Sequence, residues 1–111
     1  MSNETQFLYL TTTGWKSGSP HEIEIWFVEH DGCYYLVSEG RERAHWVQNI
    51  QHHPQISIRV DGITRPGIGR TVDESDAAES ELIRAVSAKM QLKYGWSTGL
   101  IVELKPEGES S

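Results

Sequence analysis

Two short polar segments carry the residues best suited to chemistry. The first runs Thr11-Thr12-Thr13-Gly14-Trp15-Lys16-Ser17-Gly18-Ser19-Pro20, and the second Ser38-Glu39-Gly40-Arg41-Glu42-Arg43. Each combines a cation, a hydroxyl and at least one glycine. Backbone N–H groups exposed in such turns, together with Lys or Arg, can share the oxygens of a phosphate. Lys16 with Ser17 is a candidate phosphate contact, against the plain alternative of a solvated turn. Arg41 and Arg43 can clamp a phosphate or carboxylate with bidentate geometry, or pair on the surface with Glu39 and Glu42. Neither segment is a Walker A loop or a Rossmann fingerprint, so a nucleotide-like cofactor would need another architecture.

Beyond the second segment, Trp46, Asn49 and Ile50 stand at i, i+3 and i+4 of a helical stretch and share one face. Trp46 can stack beside a flat ring or pack into the core, and both can hold at once. Asn49 can bond a ring carbonyl or nearby backbone. Tyr94 and Trp96 flank Gly95 and can wall a flat apolar substrate, as can Trp26; packing roles are open to all three. No residue is identified as catalytic. No serine lies in a Gly-x-Ser-x-Gly elbow. The histidines lack metal spacing: His52 and His53 diverge, His45 and His52 are not i, i+4, and no His-Glu-x-x-His occurs, so no metal site is expected. The single cysteine, Cys33, excludes an intrachain disulfide and reads as a small packing thiol.

The elements that must position these residues follow from periodicity. Phe7 to Thr13 reads as a strand. Gly14 to Pro20 is a turn. Glu22 to Glu29 alternates, with Ile23, Ile25 and Phe27 on one face and Glu22, Glu24 and Trp26 on the other. Asp31-Gly32 and Asp61-Gly62 are hairpin turns, leading to strands from Cys33 to Ser38 and Ile63 to Val72. A bulge or an edge is expected at Pro66-Gly67. Arg43 to His53 is helical and stops before Pro54, and Gln55 to Val60 is a strand. An acidic start with Asp76-x-x-Glu79 as a capping box opens a helix near Ser75 to Tyr94, closed by Gly95. Leu100 to Leu104 is the last strand. Six strands, mostly in hairpins, with two helices in 111 residues fit a small antiparallel barrel. The organisation expected is an N-terminal segment 1–6, one domain 7–104 and a mobile acidic tail 105–111.

Formal net charge is −6, which argues against sequence-independent nucleic-acid binding. No apolar run approaches the roughly 18 residues that span a bilayer, and no basic-then-apolar leader opens the chain, so the cytoplasm is the expected location.

Taken in order, Thr11-Thr12-Thr13-Gly14-x-Lys16-Ser17-Gly18-x-Pro20, then Trp26-Phe27-Val28, Trp46-Val47-x-Asn49 and His53-Pro54 resemble the deazaflavin-dependent nitroreductase family. That family lies within the FMN-binding split β-barrel superfamily, which includes pyridoxamine-phosphate-oxidase-like proteins. The resemblance covers roughly residues 7 to 104. It implies a six-stranded split barrel, a homodimer, and a groove for the deazaflavin coenzyme F-420, with FMN as the alternative. It implies hydride transfer to a quinone, a nitroaromatic or an activated alkene; a non-catalytic flavin-binding or structural barrel is the rival. Carried over by position, it assigns Lys16, Ser17, Ser38, Gly40, Trp46 and Asn49 to the cofactor; His21, Arg41 and Arg43 join them as cofactor candidates on charge, and Trp26, Tyr94 and Trp96 remain the candidates for the substrate. The chain departs from the family pattern at three positions. Trp15 stands where a basic residue is usual, His21 where Arg is frequent, and Glu24 where Pro is common. Two cationic contacts are thereby lost or weakened and one carboxylate is added, with Arg41 and Arg43 available as replacement charge.

Overall fold

The structure, a computed structural model, describes residues 6–107. Strands β1 (Phe7–Thr13), β2 (Pro20–Trp26), β3 (Val28–His30) and β4 (Cys33–Ser38) come first. A 3-10 turn at Arg41–Arg43 leads into α1 (His45–His52), followed by β5 (Gln55–Val60) and β6 (Ile63–Thr71). A second 3-10 turn at Ala77–Glu79 opens α2 (Ser80–Tyr94), and β7 (Leu100–Pro106) closes the fold. All pairings are antiparallel, in the order β2-β1-β5-β6-β7-β4-β3.

The described residues thus hold seven strands where six were expected, because the second strand is two. Phe7 pairs with Trp26 on β1, whereas Val28 pairs with Tyr35 on β4. The chain changes partner at Phe27. Since β2 and β3 are the two outer strands of the order, the single residue between them joins the sheet's edges and curls it into a split barrel. At that residue the ladder is replaced by a side chain. The Tyr94 hydroxyl accepts the Phe27 N–H at 3.1 Å and lies 2.6 Å from the Gln6 carbonyl, to which it donates. Lys93 donates to the Phe27 carbonyl at 3.0 Å. Tyr94→Phe should therefore cost about 1–3 kcal/mol by orphaning the Phe27 N–H, a loss visible in urea unfolding.

The hairpin turns form as their sequences require. Asp31 and Gly32 have φ of 52° and 80°, and Asp61 and Gly62 have 55° and 81°. Positive φ at both central residues matches the right-handed twist of the flanking strands. Of the bulge or edge expected at Pro66-Gly67, the edge is what forms: residues 63–66 pair with β5 alone. β6 pairs with β5 without interruption, and its ladder to β7 starts at Gly67. Pro66 stands just outside that second ladder and contributes its carbonyl to the Glu107 N–H at 2.8 Å. A Cβ on Gly67 would lie 2.9 Å from both Ile58 Cδ1 and the Lys105 carbonyl, so glycine lets the strands close together. β7 runs through Lys105 and Pro106, two residues beyond the expected end and into the segment read as tail; residues 1–5 and 108–111 lie outside the described residues.

Alternation on β4 and β7 buries both of their faces. Leu36, Leu100, Val102 and Leu104 point into the barrel with Leu8, Leu10, Ile56 and Ile58, and Val47 and Ile50 of α1 join this core. Tyr35, Val37 and Ile101 face outward, where Val86 and Met90 of α2 cover them. Each such aliphatic side chain contributes about 1.5–3 kcal/mol on burial. Asp76 caps the second 3-10 turn by accepting the Ala78 N–H at 3.0 Å. The reciprocal half of the capping box is absent, because Glu79 is taken by Arg70.

Arg70 bridges Glu79 and Glu103, and Tyr35 donates to Glu103 at 2.7 Å. Burial disfavours the Glu103 carboxylate, but the hydrogen bonds from Arg70 and Tyr35 outweigh it and hold its pKa below the usual Glu value. A depressed folded pKa means that the stabilisation is present above the unfolded pKa and is lost as pH falls through the folded one. Acid unfolding should therefore weaken the wild type more steeply than Glu103→Gln below about pH 4.5, as followed by circular dichroism. Burial first, and then Glu103, raises the Cys33 thiol pKa, which suits a packing thiol rather than a nucleophile.

Candidate functional site

Two adjacent concavities share a wall made by Trp46. The larger, a groove of about 920 Å³, lies between the β1–β2 loop and α1. Its lining includes Lys16, Ser17, His21, Arg43, Trp46 and Asn49. The smaller, a hollow of about 650 Å³, lies where the sheet's edges meet, and Trp26, Tyr94 and Trp96 line it together with Ser38 and Gly40.

The loop of the groove is shaped by its own bonds. Gly14 N–H donates to the Ser19 carbonyl at 2.8 Å, and Gly18 N–H to the Gly14 carbonyl at 2.7 Å. Ser17 Oγ accepts the Ser19 N–H at 3.1 Å, which leaves its proton for an outside acceptor. Asn49 ties this loop to α1. Its Oδ1 accepts the Trp15 N–H at 3.1 Å, and its Nδ2 donates to Thr12 Oγ1 at 3.0 Å. The Trp15 indole stacks on the His52 ring at 4.2 Å, so the residue that departs from the basic pattern clamps the loop onto the helix. Asn49 is buried, and both ends of its amide are committed to protein. Asn49→Ala is therefore expected to lower the melting temperature, with a stability loss of about 1–3 kcal/mol by thermal unfolding.

Charge is distributed unevenly around the site. Arg41 and Arg43 are only two residues apart but face different surroundings. Arg41 has a φ of 55°, and its guanidinium donates to Glu74 at 2.7 Å, outside both concavities. Glu74 is the main cause that raises its pKa. Arg43 lines the groove. Arg59 pairs with Glu22 at 3.1 Å, and Arg70 with two carboxylates. Lys16 and Arg43 have no carboxylate partner among the described residues; Lys16 lies 4.9 Å from the Trp15 ring centre. His21 and His45 also line the groove. Sequence reasoning weighed His45 only as a metal ligand; its place one turn before Asn49 was the signal that puts it here. Among the described residues no group of three or more His, Cys, Asp or Glu could hold a metal ion, and no helix is long and apolar enough to cross a membrane.

The hollow is aromatic. The Trp26 and Tyr94 rings stack at 4.4 Å with 3° between their planes, and Trp96 meets Trp26 edge-on at 6.1 Å. The Ser38 hydroxyl donates to the Arg41 carbonyl at 3.0 Å and shapes the following turn. Gly40 is exposed at the start of that turn. The structure thus brings Lys16, Ser17, His21, Arg43, Trp46 and Asn49 to one groove. It places Ser38 and Gly40 with the aromatic residues instead, and Arg41 in neither concavity.

The F420H(2)-dependent quinone reductase family model matches residues 2–100. No curated protein matches the chain. Solved structures share its fold. An F420-H2 Dependent Reductase (FDR-A) is 24% identical with a TM-score of 0.61, over 90% of this chain and 94% of that one. HutZ, the heme storage protein from Vibrio cholerae, is 19% identical with a TM-score of 0.70, over 96% and 84%. A putative pyridoxamine 5'-phosphate oxidase from Listeria innocua is 16% identical with a TM-score of 0.65, over 93% and 85%.

Proposed function

The chain belongs to the F420H(2)-dependent quinone reductase family, and from that premise we propose that it binds the deazaflavin in the Lys16–Arg43 groove and reduces a flat acceptor held in the hollow beyond Trp46. The observation that carries this reading is the pair of cations. In a chain of net charge −6, Lys16 and Arg43 line one groove without a carboxylate partner among the described residues, while Arg41, Arg59 and Arg70 are all paired. Unpaired cations with an unspent Ser17 proton fit the anionic side of a deazaflavin. FMN, also anionic, is the alternative occupant.

When bound, the coenzyme supplies the hydride. The protein's own contribution is to bind, orient and exclude water. Lys16, Arg43 and Ser17 hold the anionic tail. Asn49 and Trp15 act through the loop, by fixing its position on α1. Trp46, shared by both concavities, presents an apolar surface to the ring. Trp26 and Trp96 present ring surface to the acceptor. The Tyr94 proton is directed at the Gln6 carbonyl and the Ser38 proton at the Arg41 carbonyl, so neither hydroxyl is poised to protonate a reduced quinone. Nitroaromatics and activated alkenes are further acceptors of the same flat shape. A homodimer is proposed as the working form: Phe7 and Trp26 are exposed at the rim of the hollow, and a second copy set there would shield it. A cytoplasmic location is proposed with it.

The test is equilibrium titration of the protein with oxidised coenzyme F-420, followed by the anisotropy of its fluorescence, beside a parallel titration with FMN. Saturable binding that weakens with added salt is the expected result for the deazaflavin. Binding of FMN alone would move the chain to the alternative, and binding of neither would leave a structural barrel.

A further inference from the structure

The groove is lined by Lys16, Arg43 and one carboxylate, Glu22, which Arg59 neutralises, whereas the charge of the hollow is negative throughout. Its charged lining residues are Glu24 and Glu39, and no Lys, Arg or His lines it. Neither carboxylate has an ion-pair partner among the described residues. Glu24 accepts a long 3.4 Å hydrogen bond from the Tyr9 hydroxyl, whereas Glu22, two residues earlier on β2, is paired with Arg59. Lys93 lies 5.2 Å from the Tyr94 ring centre but is bonded to the Phe27 carbonyl and is not part of the lining. The rings of Phe7, Trp26, Trp46, Tyr94 and Trp96 line the same hollow. Ring faces attract a cation through their quadrupole, most strongly for Trp. Two carboxylates at the edge of such a wall add a field of the same preference.

We propose that this hollow selects a planar ring carrying positive charge, and that Glu24 and Glu39 are its specificity-determining residues. The aromatic walls set the flat shape, and the carboxylates set the sign. An anionic ring is repelled from the hollow and drawn instead to Lys16 and Arg43, which sorts an anionic coenzyme and a cationic acceptor to opposite sides of Trp46. The inference rests on reading the hollow as the acceptor site, and its test measures binding with no coenzyme present.

Three rings of one shape serve as probes: 10-methylacridinium, acridine and acridine-9-carboxylate. Each is titrated into the protein in mildly alkaline buffer, where acridine is neutral, and tryptophan quenching is recorded. The cation should bind roughly 10- to 100-fold more tightly than the neutral ring, and the carboxylate more weakly than either. The double variant Glu24→Gln, Glu39→Gln should lose the preference for the cation and keep the affinity for acridine. Both residues are exposed, and an unchanged melting temperature would show that the fold is intact. Equal affinity for the three rings in the wild type, or a preference that survives in the double variant, would overturn the proposal. Coenzyme titration of the same samples separates the two readings. A cation preference without coenzyme binding sinks the reductase reading and leaves this one standing; coenzyme binding with no charge preference does the reverse.

Discussion

Replacing Lys16 and Arg43 together by alanine is expected to weaken deazaflavin binding by roughly 30- to 700-fold while leaving the melting temperature almost unchanged. A hydrogen bond to a charged group contributes about 1.5–3 kcal/mol. Both side chains are exposed, so solvent screening reduces each to about 1–2 kcal/mol, and every 1.4 kcal/mol is tenfold in affinity. Neither cation holds a carboxylate among the described residues, so their removal orphans no described anion. Exposed side chains away from caps and networks change stability by about half a kcal/mol or less. The single variants should each show part of the loss, and added salt should shrink the gap between wild type and double variant. Arg41→Ala is the internal control. Its guanidinium is spent on Glu74, so it should cost little affinity. Equal losses for Arg41→Ala and Arg43→Ala would show that the anion lies between the two turns rather than in the groove.

Gly99→Ala is expected to have the largest effect on stability, about 3–5 kcal/mol, or roughly 15–30 °C in melting temperature for a domain of this size. Gly99 has a φ of 146°, a region that residues with a side chain avoid. A Cβ there would stand 2.5 Å from the Ser38 carbonyl oxygen and 2.8 Å from Val37 Cγ1. The oxygen belongs to a backbone fixed in the β4–β7 ladder, where Ser38 pairs with Leu100, so it has nowhere to move. Differential scanning calorimetry reads this directly. A shift of only a few degrees would mean that the β4–β7 ladder yields more easily than its pairing implies.

The elements with local causes were legible in the sequence. Asp31-Gly32 and Asp61-Gly62 announce their turns because positive φ at two successive positions restricts the choice of residue. The helix ending at Gly95 follows from its stop signal, and Gly95 adopts the left-handed conformation at φ 74°. What could not be read was the identity of neighbours. Alternation from Glu22 to Glu29 is the same whether a strand keeps one partner or exchanges it at Phe27. The exchange is set by Tyr94, 67 residues away. Pro66 forces a break only where a ladder needs an N–H at that position, and that depends on where β7 ends, since its last residue, Pro106, pairs with Gly67.

The candidate site divides along the same line. The Lys16–Ser17 turn and the Trp46–Asn49 helical face were visible as residue types at fixed spacing. The split between Arg41 and Arg43 was not, because it depends on a positive φ at a non-glycine residue and on Glu74 from a distant loop. Asn49 looked equally suited to a ligand or to backbone, and burial beside Thr12 and Trp15 assigned it to the loop. Glu39 drew notice only as a surface partner for arginine; the aromatic hollow gives it different company.

The proposed reaction is hydride transfer from a deazaflavin held at Lys16 and Arg43. The most direct measurement mixes the purified protein anaerobically with reduced coenzyme F-420 and a neutral quinone, and follows the return of the oxidised coenzyme's absorbance. Oxidation that scales with wild-type protein and falls steeply in the Lys16→Ala, Arg43→Ala variant at subsaturating coenzyme is the predicted result. Oxidation at the protein-free rate, or a double variant as active as the wild type at every coenzyme concentration, would contradict it.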